Sequence, residues 1–274
     1  MSSEDDLQEP LIEQPGVSPE PEDLTTTSKK RKRGDLEQTT KKAVKKTKAK
    51  RGKTDEDDEI DTETRINKAF AHMDNQLLAD YVAQRTRKYE SDLSSVELED
   101  KYLPTTAIQD TTAWSQPRTT DNLPTFLEKF ASNATKLWSA SKKNGAPHTI
   151  LVAAAGLRAA DLARVVRKFQ TKDATVAKLF AKHIKLEDSI KFLQSRRTGI
   201  AVGTPTRLMD LMVNGALNTD RLERIVVDAS HIDLKKRGIL EMKETQVPLI
   251  AWLGQKQLSK RYGAEKDGIQ LLFY

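Results

Sequence analysis

The chain has no cysteine, so neither a disulfide framework nor a thiolate metal site can form. Its four histidines, His72, His148, His183 and His231, are scattered without metal-ligand spacing, and no metal or other cofactor is expected. No apolar run approaches the ~20 residues that a membrane-spanning helix needs. The first residues are acidic, unlike the basic start of a secretory signal. A soluble, intracellular protein without membrane contact is the expectation. Aromatic residues make up only 5% of the sequence and charged residues 31%, the balance of a folded domain diluted by a polar tail.

What is present is unevenly distributed. Residues 1–60 carry 13 Lys and Arg against 15 Asp and Glu, and residues 61–274 carry 33 against 25, so the net +6 divides into −2 and +8. A basic folded part suits a polyanionic partner without specifying one. Residues 1–28 are acidic and rich in Pro, Ser and Thr, with almost nothing to bury, and a disordered charged tail is expected over 1–60. It holds two basic clusters: Lys29, Lys30, Arg31, Lys32 and Arg33, then Lys41, Lys42, Lys45, Lys46, Lys48, Lys50 and Arg51. Paired clusters of this kind read as a nuclear-import signal, and such runs also hold RNA non-specifically. A merely solvated charge tract is the plainer alternative.

Over residues 61–91, Ile66, Phe70, Met73, Leu77 and Tyr81 recur at spacings of four and three. The pattern predicts one amphipathic helix ~40 Å long, whose stripe either packs along its own domain or docks on a partner. Ser94-Ser95-Val96-Glu97 has the form of a capping box. Pro124 fits the first turn of a helix running to Trp138, and residues 234–242 and 247–253 read as further helices.

Five short β-branched or apolar runs alternate with helical patterns: 149–152, 176–180, 199–202, 224–227 and 269–273. Strands that alternate with helices make βαβ units of a parallel sheet buried on both faces. Residues 92–274 are therefore expected to form one three-layer α/β domain. Two strands end in polar turns, Gly203-Thr204-Pro205-Thr206-Arg207 and Asp228-Ala229-Ser230-His231. Open sheets of this kind bind ligands at the carboxyl ends of their strands.

The order of these turns resembles the first domain of DEAD-box RNA helicases, over about residues 120–274. Gly203 to Arg207 looks like their Thr-Pro-Gly-Arg motif. Ala155-Gly156-Leu157-Arg158-Ala159-Ala160-Asp161-Leu162 lies where they carry Pro-Thr-Arg-Glu-Leu-Ala, and Asp228-Ala229-Ser230-His231 stands in the place of Asp-Glu-Ala-Asp. The resemblance implies a single RecA-like, helicase-type domain. The departures bear on activity. A phosphate loop needs glycines and a Lys-Ser/Thr pair, whereas residues 116–122 contain neither glycine nor lysine. Ala229 stands where the helicases have the glutamate that acts on the attacking water, and no second helicase domain is expected to complete a cleft. No enzyme is expected.

A closer similarity is to a eukaryotic family of degenerate, DEAD-box-like nucleolar proteins, subunits of the U3-containing 90S pre-ribosomal complex, the small-subunit processome. It rests on residues 93–100, 176–185 and the turn Asp228…Asp233-Leu234-Lys235-Lys236-Arg237, together with the charged tail and the missing phosphate loop. The similarity implies a non-catalytic, nucleolar assembly factor in small-subunit biogenesis and pre-rRNA processing. Its partners would be pre-ribosomal RNA and processome proteins. Carried over from the helicases, Arg158, Thr204 and Arg207 are candidate RNA-backbone contacts, with Lys235, Lys236 and Arg237 a second candidate patch. The alternatives are that Thr204-Pro205 caps the following helix, that Arg207 pairs with a surface carboxylate, and that the lysines are a solvated helix start. At the level of the whole protein, the alternative is a protein-docking scaffold whose only RNA contact is the basic tail.

Overall fold

The computed structural model describes residues 59–274. The two basic clusters and the tail read as disordered lie outside these residues, apart from its last two positions.

The chain enters as a two-strand hairpin, β1 (Ile60–Asp61) and β2 (Ile66–Asn67). The long helix expected over 61–91 is shorter: α1 spans Asn75–Tyr89. The Asp61 carboxylate accepts the Glu63 and Thr64 N–H groups at 3.1 Å each and turns the chain, and the Asp74 side chain caps the helix through Leu77 N–H at 2.8 Å. These Asx bonds offer the backbone an alternative to helix. Next come α2 (Ser95–Glu99), with the anticipated capping box at Ser94, and α3 (Leu123–Lys129). The helix read to Trp138 ends at Lys129, and Ala134–Trp138 is a separate 3₁₀ turn.

The core follows as β3 (Thr149–Val152), α4 (Gly156–Val165), β4 (Thr175–Leu179), α5 (Leu186–Ser195), β5 (Thr198–Gly203), α6 (Pro205–Val213), β6 (Arg224–Val227), α7 (Lys243–Leu253), α8 (Lys256–Ser259) and β7 (Gln270–Phe273). All five strands of the sheet are parallel in the order β4-β5-β3-β6-β7. This is the three-layer α/β, RecA-like arrangement expected from the sequence. Residues 234–242, read as a helix, form turns instead. The Asp233 carboxylate accepts the Lys235 and Arg237 N–H groups at 2.7 and 2.9 Å, and Lys236 has φ +60°.

The strands are apolar throughout because both faces are covered. Ile150, Val152, Ala201, Ile225 and Leu271 face a core shared with α1, α6 and α7. Leu151, Ile200, Val202, Val226 and Leu272 face the other core, with α3 and α4. None of the described helices is long and apolar enough to cross a membrane.

His148 is buried just before β3. Its Nδ1 lies 2.8 Å from the Thr149 hydroxyl and its Nε2 3.2 Å from the Ser139 carbonyl, partners that satisfy a neutral imidazole. Burial, then the nearby Arg224 charge, pushes its pKa down to about 4. The unfolded chain then binds the proton more readily than the folded one. Full stability is expected above pH ~6.5, falling as pH drops through about 4. Thermal melts across that window check this, and His148→Gln should flatten the profile.

Candidate nucleic-acid interface

At the carboxyl ends of β3, β4 and β5 a cleft of about 310 Å³ opens, lined in part by Gly156, Lys182, Thr204, Thr206, Asp210 and Glu244. Three helices, α4, α6 and α7, begin at its walls, and among the described residues no side chain is bonded to their first N–H groups. The first turn of a helix leaves such donors without intrahelical partners, and its dipole places positive potential there. Gly156 lets two turns meet, since a Cβ there would lie 3.1 Å from the Lys182 Cβ. Lys182 is exposed and has no ion-pair partner among the described residues. The Thr204 side chain does not cap α6. Asp210 of α6 and Glu244 of α7 bring two carboxylates to its lining.

The two arginines carried over from the helicase motifs are engaged internally. Arg158 makes a two-pronged pair with Asp228, Nε to Oδ2 and Nη2 to Oδ1, both 2.8 Å, and its Nη1 donates to the Thr120 hydroxyl. The side chains are 11% and 4% exposed. Burial opposes the charge on Arg158, but the hydrogen bonds and carboxylate of Asp228 outweigh it and raise the pKa. Arg207 is buried. Its Nη1 and Nη2 both donate to the Ile184 carbonyl at 3.1 Å, and Nη1 also reaches Ser189 Oγ at 3.2 Å. It does not pair with a surface carboxylate. Arg207 instead anchors the segment that carries Lys182.

Beyond β6, Lys235 and Lys236 are exposed, while Arg237 pairs with Asp233 at 3.0 Å. His231 is half-buried, its pKa lowered by burial and then by Arg158.

The nucleotide chemistry of a helicase needs a free carboxylate and a phosphate cradle. Both Asp228 oxygens already accept from Arg158, and Ala229 is buried. In the stretch that replaces the phosphate loop, the buried Arg118 donates to the Phe273 carbonyl and, at 3.0 Å, to Thr111 Oγ1. Burial lowers its pKa to about 10. The Tyr274 hydroxyl closes the same region on the Thr119 carbonyl at 2.6 Å. The residues present do not fit a magnesium nucleotide, and no group of three or more potential metal ligands occurs among the described residues.

A family model, CMS1, described as "U3-containing 90S pre-ribosomal complex subunit", matches residues 24–274. The chain belongs to the CMS1 family. Protein CMS1 of Chaetomium thermophilum is 55% identical over 252 residues, 92% of this chain and 99% of that protein. Protein cms1 of Schizosaccharomyces pombe is 31% identical over 192 residues, 70% of this chain and 68% of that one. Human Protein CMSS1 is 29% identical over 171 residues, 62% of this chain and 59% of that one. Among solved structures, a Saccharomyces cerevisiae Dbp5 variant bound to Nup159, Gle1 and ADP is similar over 58% of this chain and 36% of its own, at 18% identity and a TM-score of 0.38. A DEAD-box protein from Methanococcus jannaschii is similar over 58% and 37%, at 18% identity and a TM-score of 0.35. The chain thus spans little more than a third of those two proteins.

In this CMS1-family chain, sequence reasoning missed Lys182, the first turn of α7 and the anchoring role of Arg207. Lys182 follows β4, the one parallel strand before β7 from whose end no candidate was drawn. Residues 247–253 read as a helix in the sequence, but nothing local points its first turn at the cleft. The candidate docking stripe is mostly inside: Ile66 and Phe70 are buried, Met73 and Tyr81 are half-buried, and Leu77 is 53% exposed.

Proposed function

We propose that this CMS1-family protein is a non-catalytic, nuclear and nucleolar assembly factor of the small ribosomal subunit. On this reading it holds pre-ribosomal RNA by its backbone at the carboxyl end of its sheet and meets processome proteins elsewhere. The observation that carries the reading is the convergence of three uncapped helix N-termini on one cleft beside Lys182 and Thr204. Helix N-termini and a lysine bind phosphate oxygens without reading bases. Thr204 supplies a hydroxyl, and Lys235 and Lys236 a second, peripheral contact, while Arg158 and Arg207 brace the site. Asp228, paired with Arg158, is in no position to orient water, which supports the non-catalytic half of the reading.

The test is fluorescence anisotropy of the full-length protein with a structured RNA at several salt concentrations. Lys182→Glu with Thr204→Val should weaken binding at least tenfold and reduce the slope of log affinity against log salt by about 1. Unchanged affinity would overturn the assigned cleft, and sustained ATP hydrolysis by the purified protein would overturn the non-catalytic half.

A second reading, a protein-docking scaffold with RNA held only by the tail, is favoured by one feature. Leu77, with Met73, Tyr81 and Tyr102, lines a groove of about 610 Å³ on α1.

A further inference from the structure

The two edges of the sheet differ. Beyond β7, Ile108 forms a parallel bridge with Leu271, and Gln109 N–H donates to the Leu271 carbonyl at 2.8 Å. Beyond β4 no strand follows among the described residues. Thr175 N–H donates to Arg197 in the connection entering β5, and the Leu179 carbonyl accepts from Thr204 just past its end. Alternation along the strand therefore turns the N–H and C=O groups of Val176 and Lys178 to the open side. A bare row of such groups is a template for another strand.

A groove of about 570 Å³ runs along that edge, between the turn after α4 and the outer side of α5. Its floor is apolar, from Val176, Ile184 and Phe192, and its rim carries Arg167, Lys178 and Arg196 against a single carboxylate, Asp188. All three cations are exposed and without ion-pair partners among the described residues.

We propose that β4 is a docking strand for an acidic, extended segment of a partner protein, which adds to the sheet as a sixth strand. Backbone pairing would supply affinity, and the alternation of side chains specificity. On one face of the sheet the guest's side chains would meet Val176 and Lys178, and on the other Phe192, with its carboxylates drawn to the cationic rim. The lysine at the centre of the edge disfavours a second copy of β4, which would set Lys178 against itself or its like-charged neighbours. This site lies along the sheet edge, away from the strand-end cleft, and does not depend on the RNA reading.

The test uses the full-length protein with three labelled probes: a ten-residue peptide of alternating Val and Glu, its Val/Lys counterpart, and a uridine oligonucleotide. The Val/Glu peptide should bind at least tenfold more tightly than the Val/Lys peptide. On binding, amide exchange should slow at Val176 and Lys178 and stay unchanged at Ala177. Reversing the rim with Arg167→Glu, Lys178→Glu and Arg196→Glu should invert the preference between the peptides without shifting the melting temperature. Equal binding of the two peptides would overturn the proposal, as would binding without protection at Val176 and Lys178. Protection of those amides by the oligonucleotide instead would assign the edge to RNA and overturn it equally.

Discussion

Asp228→Ala should lower the stability of the folded chain by about 3–5 kcal/mol, and Arg158→Ala by a similar amount, because each leaves its partner's charge buried and unpaired. The pair is almost closed to solvent, at 11% and 4% side-chain exposure, so water cannot replace the missing partner. Arg158→Met combined with Asp228→Leu should recover most of the loss, since a buried ion pair and apolar groups of similar size often differ little. Denaturant unfolding of the four proteins at neutral pH reads the effect. A stable Asp228→Ala protein would mean that the carboxylate is not held by Arg158, and that its place in the turn answers to something else. The prediction bears on function because a carboxylate committed to a structural pair is unavailable to a metal or to water.

Arg207→Ala should cost about 2–3 kcal/mol, the scale of charge-assisted hydrogen bonds lost from a buried carbonyl. It should also weaken RNA binding, although Arg207 touches no ligand in this account. The guanidinium holds the Ile184 carbonyl and Ser189, and so fixes the short segment in which Lys182 follows β4. A double-mutant cycle separates the roles. If Arg207 acts through Lys182, the loss in RNA affinity from the Arg207→Ala, Lys182→Ala pair should be no larger than from Lys182→Ala alone. Additive losses would make Arg207 a direct contact.

The sheet was legible because parallel strands covered on both faces show as unbroken apolar runs, and the five runs from Thr149 to Phe273 lie where the strands lie. The periodic stripe from Ile66 to Tyr81 misled because spacing alone does not distinguish one helix from a hairpin, a 3₁₀ turn and a shorter helix that bury some of the same residues. The decisive groups there are polar: Asp61, Asn67 and Asp74 each bond a backbone N–H two or three residues on. Leu234 was misread for the same reason. Asp233 folds the chain into a turn and leaves the leucine exposed.

At the candidate site, the strand-end turns directed attention to one end of the sheet, but the state of each arginine was hidden. Arg158 meets a carboxylate 70 residues away, and Arg207 a carbonyl 23 residues away. Such pairings are set by the packing of α4 and α6, not by neighbours in sequence. Family resemblance named these positions as motif positions. It could not say that burial had turned two ligand-type side chains into braces.

RNA crosslinking in cells tests the central claim most directly, comparing the full-length protein with its Lys182→Glu, Thr204→Val variant, both with the basic tail intact. The account predicts crosslinked peptides from the turns after β3, β4 and β5 in the unaltered protein, and their loss in the variant while both still sediment with pre-ribosomal particles. Crosslinks confined to residues 29–53 in both proteins would contradict it, and would leave the α/β domain a protein-docking scaffold.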